Sequence, residues 1–249
     1  TSELRTNRSA NKSIKRAGGE MIRGSSIDKI MTNPQKKTID KIMTNPQKKT
    51  EEFSETAKGA MMETVREILF GVRKNLDDVQ AIQKGRMCED AGIQLYNDVF
   101  LYDLKKVESD GRRNNGIITG EPDLVAAHSK KGVDIKVAWS LLTFPLCAED
   151  ADKKGYEWQA RGYMCLFELP EWEIAYCAID TPEELLKPWD DRTIHTIDSA
   201  IPAHHRITVA RYTRDLEIEK AMLEKCAKAN LWIEEAVKQF AKEHDQYII

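Results

Sequence analysis

Two aspartates and a lysine near the middle of the chain have the types and spacing of a hydrolytic site that uses a cation. Asp123 follows Pro122 and, after an intervening loop, Asp134 and Lys136 flank Ile135. Carboxylate oxygens are the ligands that hard cations such as Mg²⁺ take in proteins. A lysine beside such a cation can orient or deprotonate an attacking water. The trio therefore indicates hydrolysis assisted by a bound divalent cation.

Two strands joined by a hairpin are the elements that must position these side chains. Residues 117–127 and 132–137 read as strands, and the loop Ser129-Lys130-Lys131-Gly132 separates them. Side chains alternate between the two faces of a strand, so Asp134 and Lys136 point one way while Ile135 points into the core. The hairpin would bring Asp123 close to Asp134.

The triplet Asp-Ile-Lys carries little weight by itself. An aspartate in a hairpin is commonly a turn residue, and such a triplet is frequent on solvated strands. The neighbouring Val133 and Val137 make the strand half-buried and force the charged pair onto a definite face. A solvated strand face without chemistry is the competing interpretation.

Four short motifs in a shared order resemble the signature of the PD-(D/E)XK nuclease superfamily. Pro122-Asp123 and Asp134-Ile135-Lys136 are similar to its core motifs in the aspartate form. Gly85-Arg86-Met87-Cys88-Glu89 resembles the GxxxE element of RecB-type and phage lambda exonuclease-like (YqaJ) nucleases. Gln159-Ala160-Arg161-Gly162-Tyr163 resembles their QxxxY element, with Gln159 and Tyr163 on one helix face.

Each flanking element also has an ordinary alternative when it is taken alone. Glu89 can be a solvated helix carboxylate paired with Lys84 or Arg86, and Gln159 and Tyr163 can pack at a sheet edge. The order of all four motifs favours the nuclease interpretation.

The resemblance implies a metal site and a set of assisting residues. One or two Mg²⁺ or Mn²⁺ ions would be held by Glu89, Asp123, Asp134 and the carbonyl of Ile135. Lys136 would help to activate water, while Gln159 and Tyr163 would steady Lys136 or the DNA strand.

A further segment resembles the part of YqaJ nucleases that holds the DNA end. Ile22-Arg23-Gly24-Ser25, followed by Ile27-Asp28-Lys29-Ile30-Met31, is similar to their I-T-A-S segment with a following I-M. Carried over by position, Ser25 would contact a terminal phosphate, and Arg16 or Arg23 would add positive charge. Arg23 stands where threonine is usual.

The resemblance also implies an activity and partners. A member of the YqaJ group would digest linear double-stranded DNA from the 5′ end and leave 3′ single strands for a recombination partner, such as a single-strand annealing protein. A homo-oligomeric ring around the duplex would explain processivity.

Two other functions stay open. One is a RecB-type endonuclease or another DNA-processing nuclease, and the other is a catalytically idle DNA-binding module that retains the fold. Cleavage of circular DNA would separate endonuclease from exonuclease. A Mg²⁺ requirement would separate enzyme from binding module. A CRISPR adaptation nuclease is disfavoured, because its four iron-sulfur cysteines have no counterpart among five scattered ones.

The wider pattern predicts an α/β fold with a restriction-endonuclease-like core, in which helices flank a central mixed sheet and a long helix ends the chain. A short helix is expected to start at Thr181-Pro182. Helices are predicted at 50–74, 82–99, 153–167 and 215–240, and strands at 99–107, 117–127, 132–137, 172–179 and 207–212.

Charge is distributed unevenly along the 249 residues. The net charge is −3, yet residues 1–50 carry 12 Lys and Arg against 4 Asp and Glu. The totals of 38 and 41 leave 26 against 37 for the remainder. We therefore predict a basic segment at 1–50 and a nuclease domain at 51–249. The basic segment is either an arm that binds phosphates or a solvated tail, and charge alone favours the tail.

The basic segment contains a perfect tandem repeat. IDKIMTNPQKKT occupies residues 27–38 and again 39–50. Solenoid folds need at least three longer copies, so a recent duplication or an engineered insertion is the simpler origin. The chain has no apolar run long enough to span a bilayer and starts without an apolar signal segment, which predicts a cytoplasmic protein.

Overall fold

The computed structural model describes residues 21–33, 52–73, 75–76, 78–107, 111–126, 128–152 and 155–245. Arg16, the second repeat copy and the predicted boundary at residue 50 lie outside these ranges, so the division into 1–50 and 51–249 stays a prediction. None of the helices in these ranges has the length and apolar character needed to cross a membrane.

The described helices and strands follow one another in runs along the chain. The helices are α1 (Ile27–Met31), α2 (Glu55–Phe70), α3 (Gln80–Met87), α4 (Glu89–Phe100), α5 (Ala148–Asp152), α6 (Glu157–Phe167) and α7 (Leu216–Asp245). The strands are β1 (Ile22–Arg23), β2 (Arg113–Asn114), β3 (Ile118–Gly120), β4 (Leu124–Ala126), β5 (Lys131–Val137), β6 (Glu171–Cys177) and β7 (Ile207–Thr213).

The chain divides into two compact units. The first, called the helical unit here, comprises the described parts of 1–74, 114–119 and 216–249. In it α2 packs against α1 and α7, and β1 runs parallel to β3. The Ser54 hydroxyl caps α2 by accepting from the Ala57 N–H at 3.1 Å, and Gly71 ends the helix in the left-handed conformation.

The second unit, called the sheet unit, comprises 75–113 and 120–215. Its four strands are ordered β4-β5-β6-β7. β5 pairs antiparallel with β4 and parallel with β6, which pairs antiparallel with β7. Parallel neighbours need a crossover connection, and the residues between β5 and β6 supply it with α5 and α6. The predicted α/β class, the mixed sheet and the long final helix are confirmed.

Helices cover the two faces of this sheet. On one face Val133 and Ile135 of β5 pack with Ile93 and Tyr96 of α4. α4 approaches closely because Gly92 has no side chain: a Cβ there would lie 2.7 Å from Ile135 Cγ2. On the opposite face the α6 rings of Tyr163 and Phe167 lie against Trp172 of β6, with centroids 5.0 and 6.4 Å away.

Two predictions around α4 are wrong. The single helix at 82–99 is two helices, because the backbone leaves the helical conformation at Cys88, with φ −104° and ψ 9°. The strand at 99–107 is absent from this described stretch: α4 continues to Phe100 and Leu101 then turns left-handed at φ 56°. The amide of Asn97 bonds to Leu104 in place of a strand partner.

The other elements were predicted with errors at their ends and one interruption. The strand expected at 117–127 is interrupted between β3 and β4, where Pro122 has no N–H to offer a sheet. The helix expected at 153–167 begins at Glu157, and the one expected after Thr181-Pro182 is a single 3₁₀ turn, Glu183–Leu185.

Candidate active site

Asp123 lies at the interruption between β3 and β4 and is fixed from two sides. Its carboxylate Oδ2 accepts a hydrogen bond from the N–H of Ile135 at 2.7 Å. Its main-chain carbonyl accepts from the N–H of Val107 at 2.8 Å. Asp134 lies in the middle of β5 and is 1% exposed. Because Leu124 and Val133 are register partners, the hairpin sets the two aspartates beside each other.

The two carboxylates repel each other in a poorly solvated place. Burial, and then the negative charge of Asp134, raise the pKa of Asp123 to about 7, and the charge of Glu89 adds to the rise. Lys136 and the N–H of Ile135 oppose the rise without cancelling it. A bound cation would relieve this repulsion.

Lys136 points to the same face of β5 as Asp134, as the strand alternation requires. Its Nζ forms an ion pair with Asp134 Oδ2, and it lies 5.0 Å from the centre of the Tyr156 ring. Burial opposes the charged form, but the charges of Asp134 and Asp123 outweigh it and raise the pKa of Lys136. Tyr156 was not singled out from the sequence, although it precedes Gln159 by less than one helical turn.

Gln159 and Tyr163 contact each other on α6. Gln159 Nε2 donates to Tyr163 Oη at 3.2 Å. The Tyr163 ring also lies against Gly120, where a Cβ would come within 2.3 Å of Tyr163 Cε1. Burial, and then the charge of Asp134, raise the pKa of Tyr163 to about 12. The QxxxY pair therefore lies within the electrostatic field of the aspartates.

Glu89 is the first residue of α4 and has a partner that the sequence did not suggest. Glu89 Oε2 pairs with Lys106 Nζ at 2.8 Å. A carboxylate is also favourable in the first turn of a helix, where the N–H groups point outward. Lys84, one of the expected partners, is instead buried and donates to the carbonyl of Trp139 at 3.1 Å.

The donor set fits a hard divalent cation in its chemistry. Asp123, Asp134 and Glu89 offer only oxygen ligands, which suit Mg²⁺ and Mn²⁺. As the side chains stand, no group of three His, Cys, Asp or Glu residues in the described ranges is arranged to hold a metal. Internal donors engage all three carboxylates: the N–H of Ile135, Lys136 and Lys106.

The residues predicted to hold the DNA end belong to the helical unit. Ser25 is exposed in the one-turn 3₁₀ helix Gly24–Ser26. The Arg23 guanidinium binds both carboxylate oxygens of Glu67, at 3.0 and 2.8 Å, and Arg73 lies 3.4 Å from the same carboxylate. Arg16 is outside the described residues. The roles of all three predicted residues in DNA binding stay predictions.

The fold matches solved structures of exonucleases. A phage-related exonuclease from Haemophilus somnus 129PT shares 28% sequence identity, with a TM-score of 0.75 over 89% of this chain and 96% of that one. The alkaline exonuclease LHK-Exo from Laribacter hongkongensis has a TM-score of 0.62 at 12% identity, over 95% of this chain and 99% of that one. LHK-Exo in complex with dAMP has a TM-score of 0.60 at 13% identity, over 94% and 97%.

Comparisons of sequence alone add nothing to this match. No family model matches the chain, and no curated protein does. The relation rests on the fold, the 28% identity to the phage-related exonuclease and the ordered motifs around Asp123, Asp134 and Lys136. On these grounds the chain is similar in structure to phage lambda exonuclease-like nucleases of the PD-(D/E)XK superfamily.

Proposed function

We propose that this protein is a DNA exonuclease that requires Mg²⁺ or Mn²⁺. The observation that carries the proposal is the arrangement of Asp123, Asp134 and Lys136 on one face of the sheet. This arrangement occurs in a chain whose fold matches a phage-related exonuclease over nearly its full length. The dAMP bound to LHK-Exo, a more distant relative, is a deoxynucleotide and is consistent with a DNA substrate.

The residues of the site divide the work of phosphodiester hydrolysis. Asp123, Asp134, the Ile135 carbonyl and Glu89 would hold the cation, which supplies Lewis acidity and a more acidic water when bound. Lys136, which is paired with Asp134, would help to activate the attacking water and would offer positive charge to the scissile phosphate. Gln159 and Tyr163, hydrogen-bonded to each other, would support Lys136 or the DNA strand.

The proposal extends to polarity and partners. Digestion proceeds 5′ to 3′ on linear duplexes and leaves 3′ single strands for recombination, taken up by a single-strand annealing protein. A homo-oligomeric ring would keep the enzyme on its substrate. Light scattering on purified protein measures the assembly, and a monomer at working concentration would remove the ring from the proposal.

The test uses linear duplexes labelled separately at each 5′ and 3′ end, next to a closed circular duplex, with Mg²⁺ or with EDTA. Lys136→Ala is the inactive variant. Lys238→Ala, which removes an exposed lysine from α7, is the matched control for loss of one positive charge.

Progressive loss of the 5′ label, with an intact circle, an inactive Lys136→Ala variant and an active Lys238→Ala variant, is the expected result. Loss from the 3′ end would reverse the proposed polarity. Cleaved circles would identify an endonuclease. DNA binding without Mg²⁺-dependent cleavage of any substrate would refute the proposed enzyme activity and favour a DNA-binding module.

A further inference from the structure

The segment that connects α4 to the Asp123 strand is tied down close to the site. Asn97 of α4 bonds both main-chain groups of Leu104: its Nδ2 donates to the carbonyl at 2.9 Å and its Oδ1 accepts from the N–H at 3.1 Å. Three residues later, the N–H of Val107 donates to the carbonyl of Asp123 at 2.8 Å. Lys106 is thus held between two fixed points.

Both fixed points that flank Lys106 belong to the site region. Asn97, which holds Leu104, is on the helix that begins with Glu89, and Val107 is held by Asp123 itself. The ammonium of Lys106 lies 2.8 Å from Glu89 Oε2, with side-chain exposures of 51% and 22%. Its hydrogen bond to Glu89 raises the pKa of Lys106; burial opposes this rise, and the charges of Glu89 and Asp123 add to it. The lysine therefore carries its positive charge next to two carboxylates of the proposed metal site.

We propose that Lys106 is a positioning residue that competes with the divalent cation for Glu89. Its ammonium neutralises Glu89 and holds this carboxylate in an ion pair, so Glu89 would join Asp123 and Asp134 in holding a cation only once that pair is broken. This inference rests on the proposed metal-dependent function. Its consequence is that Lys106 sets the cation concentration at which Glu89 joins the site.

The sign of the effect follows from charge. Removing the ammonium leaves Glu89 without its partner and makes the site more negative, so a divalent cation binds more tightly. Partly exposed ion pairs are weak. The expected gain in affinity is therefore about two- to fivefold. The gain in cation affinity must depend on Glu89. If removal of Lys106 acted only by making the site more negative in general, the gain would persist when Glu89 is replaced.

The test measures binding of Mn²⁺ to DNA-free protein, by the loss of the electron paramagnetic resonance signal of free Mn²⁺. Wild type is compared with Lys106→Met, Glu89→Gln and the double variant. Lys105→Met removes the neighbouring exposed lysine from the same segment and is the matched control. Lys106→Arg retains the charge. Near-ultraviolet circular dichroism checks the fold, with Lys106→Gln as a second substitution should methionine disturb it.

Tighter Mn²⁺ binding by Lys106→Met, wild-type affinity in Lys105→Met and Lys106→Arg, and loss of the gain in the Glu89→Gln background are expected. An equal gain in Lys105→Met would overturn the proposal in favour of general charge. Weaker binding by Lys106→Met would overturn it too, because the lysine would then be assembling the site. Folded wild-type protein that binds no Mn²⁺ would refute the proposed function itself, which is a separate outcome.

Discussion

The two faces of strands β5 and β6 differ in how their buried carboxylates are compensated by neighbouring donors and positive charges. On the face toward α6, called the catalytic face here, Asp123 and Asp134 lie side by side with Lys136 as the nearby cation. On the face toward α4, the Glu173 cluster surrounds one carboxylate with three donors. Glu173, 4% exposed, accepts from Tyr96 Oη at 2.7 Å, Lys131 Nζ at 3.0 Å and Arg211 Nε at 3.0 Å.

The pKa shifts record this difference. Burial raises the pKa of Asp123, and the neighbouring Asp134 adds to the rise. Burial also acts to raise the pKa of Glu173, but its hydrogen bonds to Tyr96, Lys131 and Arg211 outweigh it and lower the pKa. A satisfied carboxylate stabilises the fold, whereas an under-compensated pair is arranged for a ligand that supplies positive charge. The comparison predicts that substitutions on the two faces separate activity from stability.

The largest effect is expected for Asp134→Asn on the catalytic face. Losing a partner of a metal ligand typically costs 10–100-fold in affinity or activity, so losing a direct ligand should reduce cleavage by at least about 100-fold. The fold should persist, because the substitution removes the repulsion between Asp134 and Asp123, and Asp123 remains as a negative neighbour of Lys136. The measurements are the initial rate on a labelled linear duplex and the free energy of unfolding in urea.

Asp198→Asn, which changes an exposed carboxylate in a loop of the same unit, is the control for loss of one acidic group. If Asp134→Asn unfolds the protein more readily than a change in the Glu173 cluster does, the contrast between the two faces fails.

A loss of stability is the expected result of Glu173→Gln. The substitution leaves the Lys131 ammonium, whose side chain is 11% exposed, without a negative partner. Breaking a buried pair from one side costs about 3 to 5 kcal/mol. Urea unfolding should show this loss. Cleavage per folded molecule should stay within about twofold of wild type, since Glu173 projects from the opposite face; a loss comparable to that of Asp134→Asn would refute the separation.

Acid should remove the difference between wild type and Glu173→Gln. The pKa of Glu173 is lowered in the folded protein, so its contribution is complete above the ordinary value near 4.5 and declines as the pH falls through the lower folded value. Unfolding measured from pH 7 to 3 should give curves that converge below about pH 4.5. Parallel curves would mean that the charge of Glu173 does not stabilise the fold.

The sequence was most informative where local chemistry decides the structure. Alternation along β5 predicts that Asp134 and Lys136 share a face with Ile135 turned to the core, as the ion pair and the burial of Ile135 show. The spacing of Gln159 and Tyr163 likewise predicts a shared helix face, and the two side chains are hydrogen-bonded.

Other features depend on contacts between distant residues, which one sequence does not reveal. Lys106 reaches Glu89 only because Asn97 and Asp123 hold the irregular segment between them. The Glu173 cluster joins side chains from four elements. Its Lys131 lies in a stretch that the sequence predicts as a loop, whereas β5 begins at this residue. The sequence also could not separate α3 from α4, because Cys88 is neither glycine nor proline.

The smallest of the effects concerns the close approach of Gly120 to Tyr163 of α6, on the catalytic face. A Cβ at Gly120 would lie 2.3 and 2.9 Å from two ring atoms of Tyr163, and an aromatic ring cannot bend away as an aliphatic chain end can. Gly120→Ala should therefore displace Tyr163 or β3. Such overpacking costs about 1 to 3 kcal/mol. Activity should fall by about tenfold or more, because displacements of about 1 Å can reduce rates by 100-fold.

Gly85→Ala provides the matched control, because no atom outside its two chain neighbours and the nearby backbone of α3 lies within 4 Å of the position that a Cβ would take. In a helix interior, alanine is more favourable than glycine by up to about 1 kcal/mol of folding free energy. This variant should therefore be at least as stable as wild type, and its cleavage rate should be unchanged. Gly85 is the glycine of the GxxxE element, whereas Gly120 precedes the Pro122-Asp123 motif by two residues. An inactive Gly85→Ala variant, or a fully active Gly120→Ala variant, would contradict the prediction. Activity would then not depend on the packing of Tyr163 against Gly120.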